Sequence, residues 1–355
     1  MKSKWLLMAL ALLTLGTSCG REFDPYWRIL DFRVLALRTS EPELRPGETA
    51  VLDALVYVPD GEEVEYQWEW CPFRTQAGEG FECPFTKEEL NAFVAEGGDL
   101  PEGFELPIPD FDLGTEPTAE LSYPATPELI QLFCESLQES LADAPPQVAA
   151  LVPVVDCDRG LDVSIRLVAR SGGEEIISGK RMNLWTQAEL ENNNPDVQAI
   201  EIRPLKVSDA EYLIDQGLDW VAEPVDDIEE WWVPIPDEGL DIYGGVPLEF
   251  RAVVRPESID LWTPPAPQGS DRDFLPIESE VVVYRWMTTA GSYDESEKLF
   301  KEGLNTLDAS SVTEYRIDEC PDNEATCDIK IWAITRDGRL GTDWIERDLR
   351  VVGRR

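Results

Sequence analysis

The chain has 355 residues, a formal net charge of −41 and no histidine. The missing histidine excludes Ser–His–Asp and Cys–His catalysis and every metal site that needs imidazole ligands. The excess of acid makes nucleic acid a very poor partner, because phosphate binding needs lysine and arginine. With 43% hydrophobic residues, including 12 tryptophans, the chain can nevertheless bury real cores.

The first 20 residues, MKSKWLLMALALLTLGTSCG, have the form of an export signal. Lys2 and Lys4 precede an apolar run at 5–15 that is shorter than the ~20 residues needed to span a bilayer. We therefore expect residues 1–18 to be a signal peptide. Cys19 resembles the modified cysteine of bacterial lipoproteins. Gly16 stands where the lipoprotein motif has leucine, so release of a secreted or periplasmic soluble protein is the alternative.

Cysteine parity favours lipidation. Without Cys19, the remaining six can pair completely in an oxidising compartment: Cys71, Cys83, Cys134, Cys157, Cys320 and Cys327. A thioether to lipid, with palmitate-type acyl chains, would remove the odd thiol and anchor the chain. Residues 19–28 are then the lipidated cysteine and a short tether. The resemblance to lipoproteins implies the outer membrane, since Gly20 replaces the aspartate that retains such proteins at the inner membrane; the face is left open.

Five segments recur in the same order in the two halves of the chain. They are VLALR and AIEIR, GETAVLDALVYVP and GVPLEFRAVVRPE, VEYQWEW and VVYRWMT, LDVSIRLVARSGG and CDIKIWAITRDGR, and finally SGKRMNLW and DWIERDLRVV. We predict a duplicated domain, at 29–190 and 196–353, with its boundary in the polar ENNNPD at 191–196.

The repeated segments alternate apolar and polar residues, which predicts antiparallel strands with one buried face. Short strands separated by Gly/Asp turns indicate an all-β fold of two tandem immunoglobulin-like β-sandwiches. Trp68 and Trp286 occupy matching places in the third segment and resemble the core tryptophan of such sandwiches.

The first copy is longer and is predicted to carry a disulfide-stapled helical insertion at about 71–157. Thr86 and Glu89 form a capping box, and a second helix is predicted over 126–145. We expect the pairs Cys71–Cys83 and Cys134–Cys157, although other connectivities are allowed. Cys320 and Cys327 are expected to clip a turn.

Two other groups of residues could bind something. Asp156, Asp158 and Asp162 have spacings found in calcium loops, but the EF-hand pattern fails, so a turn is the simpler interpretation and no cofactor is expected. Trp231 and Trp232 are adjacent, so in a strand one of them must point away from the core of the domain. That side chain would contact a sugar or a partner, or it would cover a loop or the other domain.

An N-terminal cysteine followed by RVLALRTSEPELRPGETAVLDALV and YQWEWCP resembles the uncharacterised lipoproteins predicted in myxobacteria and their relatives. The resemblance covers mainly residues 19–72 and implies no activity. We expect a non-enzymatic, lipid-anchored envelope protein that binds or scaffolds an envelope protein or glycan. The alternatives are a secreted carbohydrate-active enzyme that uses two carboxylates and a calcium-stiffened adhesin.

Overall fold

The computed structural model describes residues 24–97, 109–123, 126, 131, 135, 160–184, 192–221, 231–263, 276–321 and 324–355. Strands of the first half are β1 Arg33–Thr39, β2 Glu43–Leu44, β3 Thr49–Tyr57, β4 Glu65–Cys71, β5 Asp112–Gly114, β6 Ala119–Ser122, β7 Leu161–Ser171 and β8 Glu174–Leu184. Strands of the second half are β9 Val197–Pro204, β10 Val233–Pro234, β11 Leu240–Gly244, β12 Leu248–Val254, β13 Leu261–Trp262, β14 Glu278–Ser279, β15 Val282–Thr288, β16 Ser292–Tyr293, β17 Glu297–Phe300, β18 Val312–Arg316, β19 Cys327–Asp337 and β20 Thr342–Arg354. Helices span Lys87–Gly97, Val207–Asp215 and Leu307–Ser311.

The first module is a sandwich of two sheets, in the orders β1-β3-β6 and β2-β8-β7-β4-β5. The second module has the orders β10-β9-β12-β18-β16 and β11-β20-β19-β15-β17, with the small pair β13-β14 beside them. In each module a short strand pairs in parallel with the last strand, β2 with β8 and β11 with β20. The other strand pairs among the described residues are antiparallel.

The strand order is that of an immunoglobulin-type sandwich. In each module the first, second and fifth main strands share one sheet, and the third, sixth and seventh share the other. The main strands of the two copies match one for one, so the all-β fold of tandem immunoglobulin-like sandwiches is confirmed. The alternation of apolar and polar residues along the strands accounts for this fold, because every second side chain of a strand enters a core.

The matching tryptophans lie at the centres of the two cores. Trp68 and Trp286 are each fully buried. The Trp68 indole N–H donates to the Glu116 carbonyl oxygen at 3.0 Å. The Trp286 ring packs against Phe250, with 6.0 Å between ring centroids. Both residues are therefore core residues, as their position in the repeat predicts.

The expected insertion at 71–157 is not one continuous excursion. Strands β5 and β6 lie inside that range and pair with β4 and β3 of the sandwich. The residues that the first copy has in excess of the second are therefore divided into two excursions, one between β4 and β5 and one after β6. The sequence missed this because β5 and β6 are too short, at three and four residues, to show a clear alternation.

The capping box in the first excursion is confirmed. The Thr86 N–H donates to Glu89 Oε2 at 2.9 Å, and the Glu89 N–H donates to Thr86 Oγ1 at 3.2 Å. The helix Lys87–Gly97 starts there and buries Leu90 against the first core. Of the second predicted helix, 126–145, nearly all residues lie outside the described part of the chain.

Candidate functional site: the joint between the modules

An apolar cluster joins the two modules and is separate from their cores. Its buried members are Ile29, Leu35, Ala36, Leu55, Met287, Trp332 and Ile334. Tyr57 of β3 meets Trp332 of β19 edge-on, with 5.6 Å between ring centroids. Such an aromatic contact adds about 0.5–1.5 kcal/mol to the burial of the two rings. The modules are therefore held by apolar contact as well as by the chain that connects them.

A buried arginine crosses the joint beside this cluster. Arg339 lies in the turn between β19 and β20, and its guanidinium donates to both carboxylate oxygens of Glu43 at 3.0 Å. Its other amino group lies 3.3 Å from Glu280 Oε1. The side chains of Arg339, Glu43 and Glu280 are exposed by only 6%, 10% and 1%. A planar guanidinium suits this double carboxylate contact better than an ammonium would.

The conformation of the β19–β20 turn places Arg339 and the Leu340 carbonyl oxygen against the first module. Asp337 Oδ1 accepts from the backbone N–H of Arg339 and of Gly341, both at 2.7 Å. A Cβ at position 341 would lie 1.8 Å from Asp337 Oδ2, so any side chain there would displace the Asp337 carboxylate from these two hydrogen bonds. Leu340 has a φ of +85°, which is uncommon for a residue with a side chain. Its carbonyl oxygen accepts from Lys180 Nζ of the first module at 2.6 Å.

Burial shifts the pKa of three ionisable groups at the joint. Burial, together with the charge of Asp337, raises the pKa of Glu280 to about 8. Burial raises the pKa of Asp337 to about 6 and lowers the pKa of Lys180 to about 8. Glu280 is therefore largely protonated at pH 7, and the joint holds less negative charge than its composition suggests.

We expect the joint to weaken as pH rises. Because the folded-state pKa of Glu280 is raised from 4.5 to about 8, its favourable contribution is complete below pH 4.5 and is lost as pH rises through 8. Glu280→Gln cannot ionise, so the fall in melting temperature of the native protein between pH 5 and pH 9 should be reduced in this variant. Parallel pH profiles from differential scanning calorimetry that differ only by a constant offset would contradict this.

A second arginine links the modules at the other side of the apolar cluster. Arg38 of β1 donates to Asp53 at 2.8 Å and also to Asp343 of β20. Its guanidinium lies 4.3 Å from the centre of the Trp344 ring. The other oxygen of Asp343 accepts from the Val197 N–H at 2.9 Å. One carboxylate thus fixes both the first module and the start of the second.

The segment between the modules is pinned by three consecutive asparagines. The Asn192 amide donates to the Arg339 carbonyl oxygen, and the Asn193 N–H donates to Asp260 at 2.9 Å. The Asn194 amide donates to the Thr39 carbonyl oxygen at 2.8 Å and accepts from the Thr342 N–H at 2.8 Å. These residues lie between β8 and β9, in the segment predicted as the boundary, and their hydrogen bonds make it a fixed connection between the modules.

Residues 24–30, called the strap here, pack on the second module although they precede the first. The Ile29 N–H donates to the Thr288 carbonyl oxygen at 2.8 Å, and the Thr288 N–H donates to the Trp27 carbonyl oxygen at 3.0 Å. Trp27 meets Tyr293 edge-on at 5.8 Å. The prediction of a tether over 19–28 is therefore wrong near its end, because Trp27 packs against the second core. Ile29 is buried as well, whereas Leu30 stays exposed.

Two of the expected disulfides are present. Cys71–Cys83 closes the start of the first excursion, with 5.3 Å between Cα atoms, and Cys320–Cys327 clips the turn before β19, with 5.8 Å. Cys19, Cys134 and Cys157 lie outside the described residues.

The aspartates considered for calcium are only partly described. Asp156 and Asp158 lie outside the described residues. Asp162 is on β7, exposed, and accepts from the Asn183 amide at 3.3 Å. No cluster of three or more potential metal ligands occurs among the residues that the structure describes.

The adjacent tryptophans point in different directions. Trp231 stacks on Trp220, at 6.3 Å between centroids and 12° between planes, and packs against the second core. Trp232 lies over the guanidinium groups of Arg203 and Arg251, at 4.4 and 4.5 Å. Both side chains are half-buried. The outward tryptophan is thus occupied by two arginines of its own module.

The sequence did not identify the charged residues of the joint. Arg339 was visible only as part of a turn, and Glu43 as one of 71 acidic residues. Within the described ranges, no helix is both long and apolar enough to cross a membrane.

Comparison with known proteins adds little to this description. No protein-family model matches the chain, and no curated protein matches it. Among solved structures, the four N-terminal immunoglobulin domains of Dscam1 isoform 6.44 are 9% identical; the match covers 91% of this chain and 51% of that one, with a TM-score of 0.19. Escherichia coli alpha-2-macroglobulin activated by porcine elastase is 10% identical over 93% of this chain and 22% of that one, with a TM-score of 0.18.

A chimeric titin Z1Z2 is 11% identical over 90% of this chain and 99% of that one, with a TM-score of 0.14. The chain thus spans about half the length of the first of these structures. Scores this low carry no argument, so the fold assignment rests on the strand order alone.

Proposed function

We propose that the chain is a non-enzymatic protein of the cell envelope, anchored by lipid on Cys19, whose two sandwiches form one stiff binding or scaffolding unit. The observation that carries the proposal is the joint, where apolar contacts, two arginines and three asparagines fix the modules to each other. Burying charged groups in the joint costs desolvation free energy, and such a joint is suited to a protein that must hold two surfaces at a fixed distance and orientation.

The strap supports an anchor close to the second module. Four residues, 20–23, separate Cys19 from the first described residue, Asp24. A chain extends at most ~3.6 Å per residue, so Cys19 lies within about 18 Å of Asp24. Lipid on Cys19 would therefore hold the second module near the membrane. The partners that fit such a position are an envelope protein or a glycan. The high negative charge disfavours nucleic acid.

The mature N-terminus tests this proposal. We expect mass spectrometry of protein expressed in a Gram-negative host to find the chain beginning at Cys19 with diacylglyceryl mass on its sulfur. Cys19→Ser should then be found in the soluble fraction, whereas the native chain should sediment with outer membranes. A native chain with an unmodified Cys19, or one cut at another residue, would contradict the lipid anchor.

A further inference from the structure

The first module contains a basic cavity in an otherwise strongly acidic protein. Its volume is about 660 Å³, and it lies between the disulfide-closed loop after β4 and the outer surface of β7 and β8. The lining residues are Arg74, Thr75, Gln76, Ala77, Phe81, Ser164, Gly179, Lys180 and Arg181. None of these is a carboxylate, although the chain has 71 acidic residues. The cavity is of the size that small-molecule ligands occupy in proteins.

The cavity has two arginines with no partner in the described part of the chain. Arg74 is on the loop and Arg181 is on β8. Both residues are exposed, and neither guanidinium group makes an ion pair or hydrogen bond with a described residue. Most other arginines are paired with acids; Arg166, on the adjacent strand, has Glu69 at 2.6 Å and Glu82 at 3.8 Å. Each guanidinium group presents a planar fork of N–H donors, and two such groups on one cavity can bind an oxyanion.

The cavity wall is held in place before any ligand binds. The Cys71–Cys83 bridge closes the loop, and the Arg166 Nε–H donates to the Gly80 carbonyl oxygen at 2.9 Å. The Thr75 N–H donates to Ser164 Oγ at 2.8 Å, which leaves the serine hydroxyl proton available to a ligand. A preformed wall lowers the entropy lost on binding.

Two further features of the loop indicate a binding role. Thr75 Oγ1 is buried and has no hydrogen-bond partner among the described residues. Phe81 has a φ of +56°, a conformation that is a real outlier for a bulky side chain and is often kept at binding sites. A Cβ at Gly179 would lie 2.3 Å from the Phe81 ring, so the glycine lets the aromatic ring lie against the sheet.

From these features we infer that the cavity binds an acidic saccharide, with its carboxylate or sulfate between Arg74 and Arg181 and its ring beside Phe81. The cavity is far larger than an isolated oxyanion, and its hydroxyl, amide and aromatic groups match those that hold sugar rings. At physiological salt the Debye length is about 8 Å, so acids farther from the cavity than this have little effect on a bound anion. The site goes beyond the proposed function and does not require the lipid anchor.

Isothermal titration of the soluble Cys19→Ser chain with digalacturonate, in 150 mM NaCl, tests the inference. We expect saturable binding, about tenfold weaker in Arg74→Gln and in Arg181→Gln because each loses a charge-assisted contact. Arg170→Gln is the matched control: it removes one charge from the exposed end of β7, where Arg170 pairs with Glu175 and does not line the cavity. Its affinity should equal that of the parent chain.

Four results would overturn the inference, three of them from the titrations with saccharides. These three are no binding of digalacturonate at 10 mM, equal binding of the neutral disaccharide galactobiose, or an equal effect of all three substitutions. Inorganic sulfate that competes as well as digalacturonate would also overturn it, since the site would then recognise a bare oxyanion. Circular dichroism and the mass of the intact disulfides confirm folding of each variant. A negative result here leaves the mass-spectrometric test of the anchor unaffected.

Discussion

Arg339→Ala is expected to destabilise the protein by about 3–5 kcal/mol, because it leaves buried carboxylates without their cation. Glu43 bears most of this cost, since both of its oxygens accept from Arg339 and its side chain is only 10% exposed. Glu280 contributes less, because burial already raises its pKa to about 8 and keeps it largely protonated at neutral pH. Urea denaturation at pH 7, followed by tryptophan fluorescence, measures the loss.

Two further variants separate the joint from a general effect of charge. Arg170→Ala removes the same charge from an ion pair whose two side chains are 46% and 48% exposed, and should cost about 0–1 kcal/mol. Glu43→Gln in the Arg339→Ala background removes the charge of the carboxylate that has lost Arg339 and should recover part of the stability. If Arg339→Ala and Arg170→Ala cost the same, the buried ion pair would not stabilise the joint.

The sequence predicted the sandwiches well because their signal is local. Alternation in residues 64–70 and 161–169 marks strands without reference to the rest of the chain, and the duplication supports each assignment with its copy. The capping box at Thr86 and Glu89 is likewise a local pattern, and its two hydrogen bonds form as predicted.

The joint could not be predicted because its contacts are not local. Arg339 and Glu43 are separated by 296 positions, and Lys180 and Leu340 by 160. In a chain with 71 acids, no pattern distinguishes the carboxylate that becomes buried from those that stay in water. The three asparagines read as a polar boundary in the sequence, because the partners that fix them are distant in the chain and lie on both modules.

The packing of the strap could not be predicted either, because it also depends on residues that are distant in the sequence. Its apolar residues, Trp27 and Ile29, are too few to show periodicity, so a tether was the natural interpretation. Their burial depends on strand β15 and on Tyr293, about 260 residues away. The segment nearest the expected anchor therefore ties the start of the chain to the second module, and the two modules are connected at both the strap and the joint.

Because the strap and the joint both connect the modules, we expect the two modules to unfold cooperatively. Trp68→Ala and Trp286→Ala should each cost about 3–5 kcal/mol, because each removes a fully buried indole from a core. If the joint couples the modules, damage to one core should also lower the stability of the other. Hydrogen exchange of β7 reports on the first module and exchange of β19 on the second.

We expect Trp68→Ala to accelerate exchange in β19 as well as in β7, and Trp286→Ala to accelerate it in β7 as well as in β19. Leu304→Ala, at a side chain that is 76% exposed, is the control and should change neither. Adding Arg339→Ala should reduce the effect of Trp68→Ala on β19, since it weakens the connection between the modules without entering either core. Accelerated exchange that stays within the altered module in the parent chain would show that the sandwiches unfold independently, and that the joint does not make them one unit.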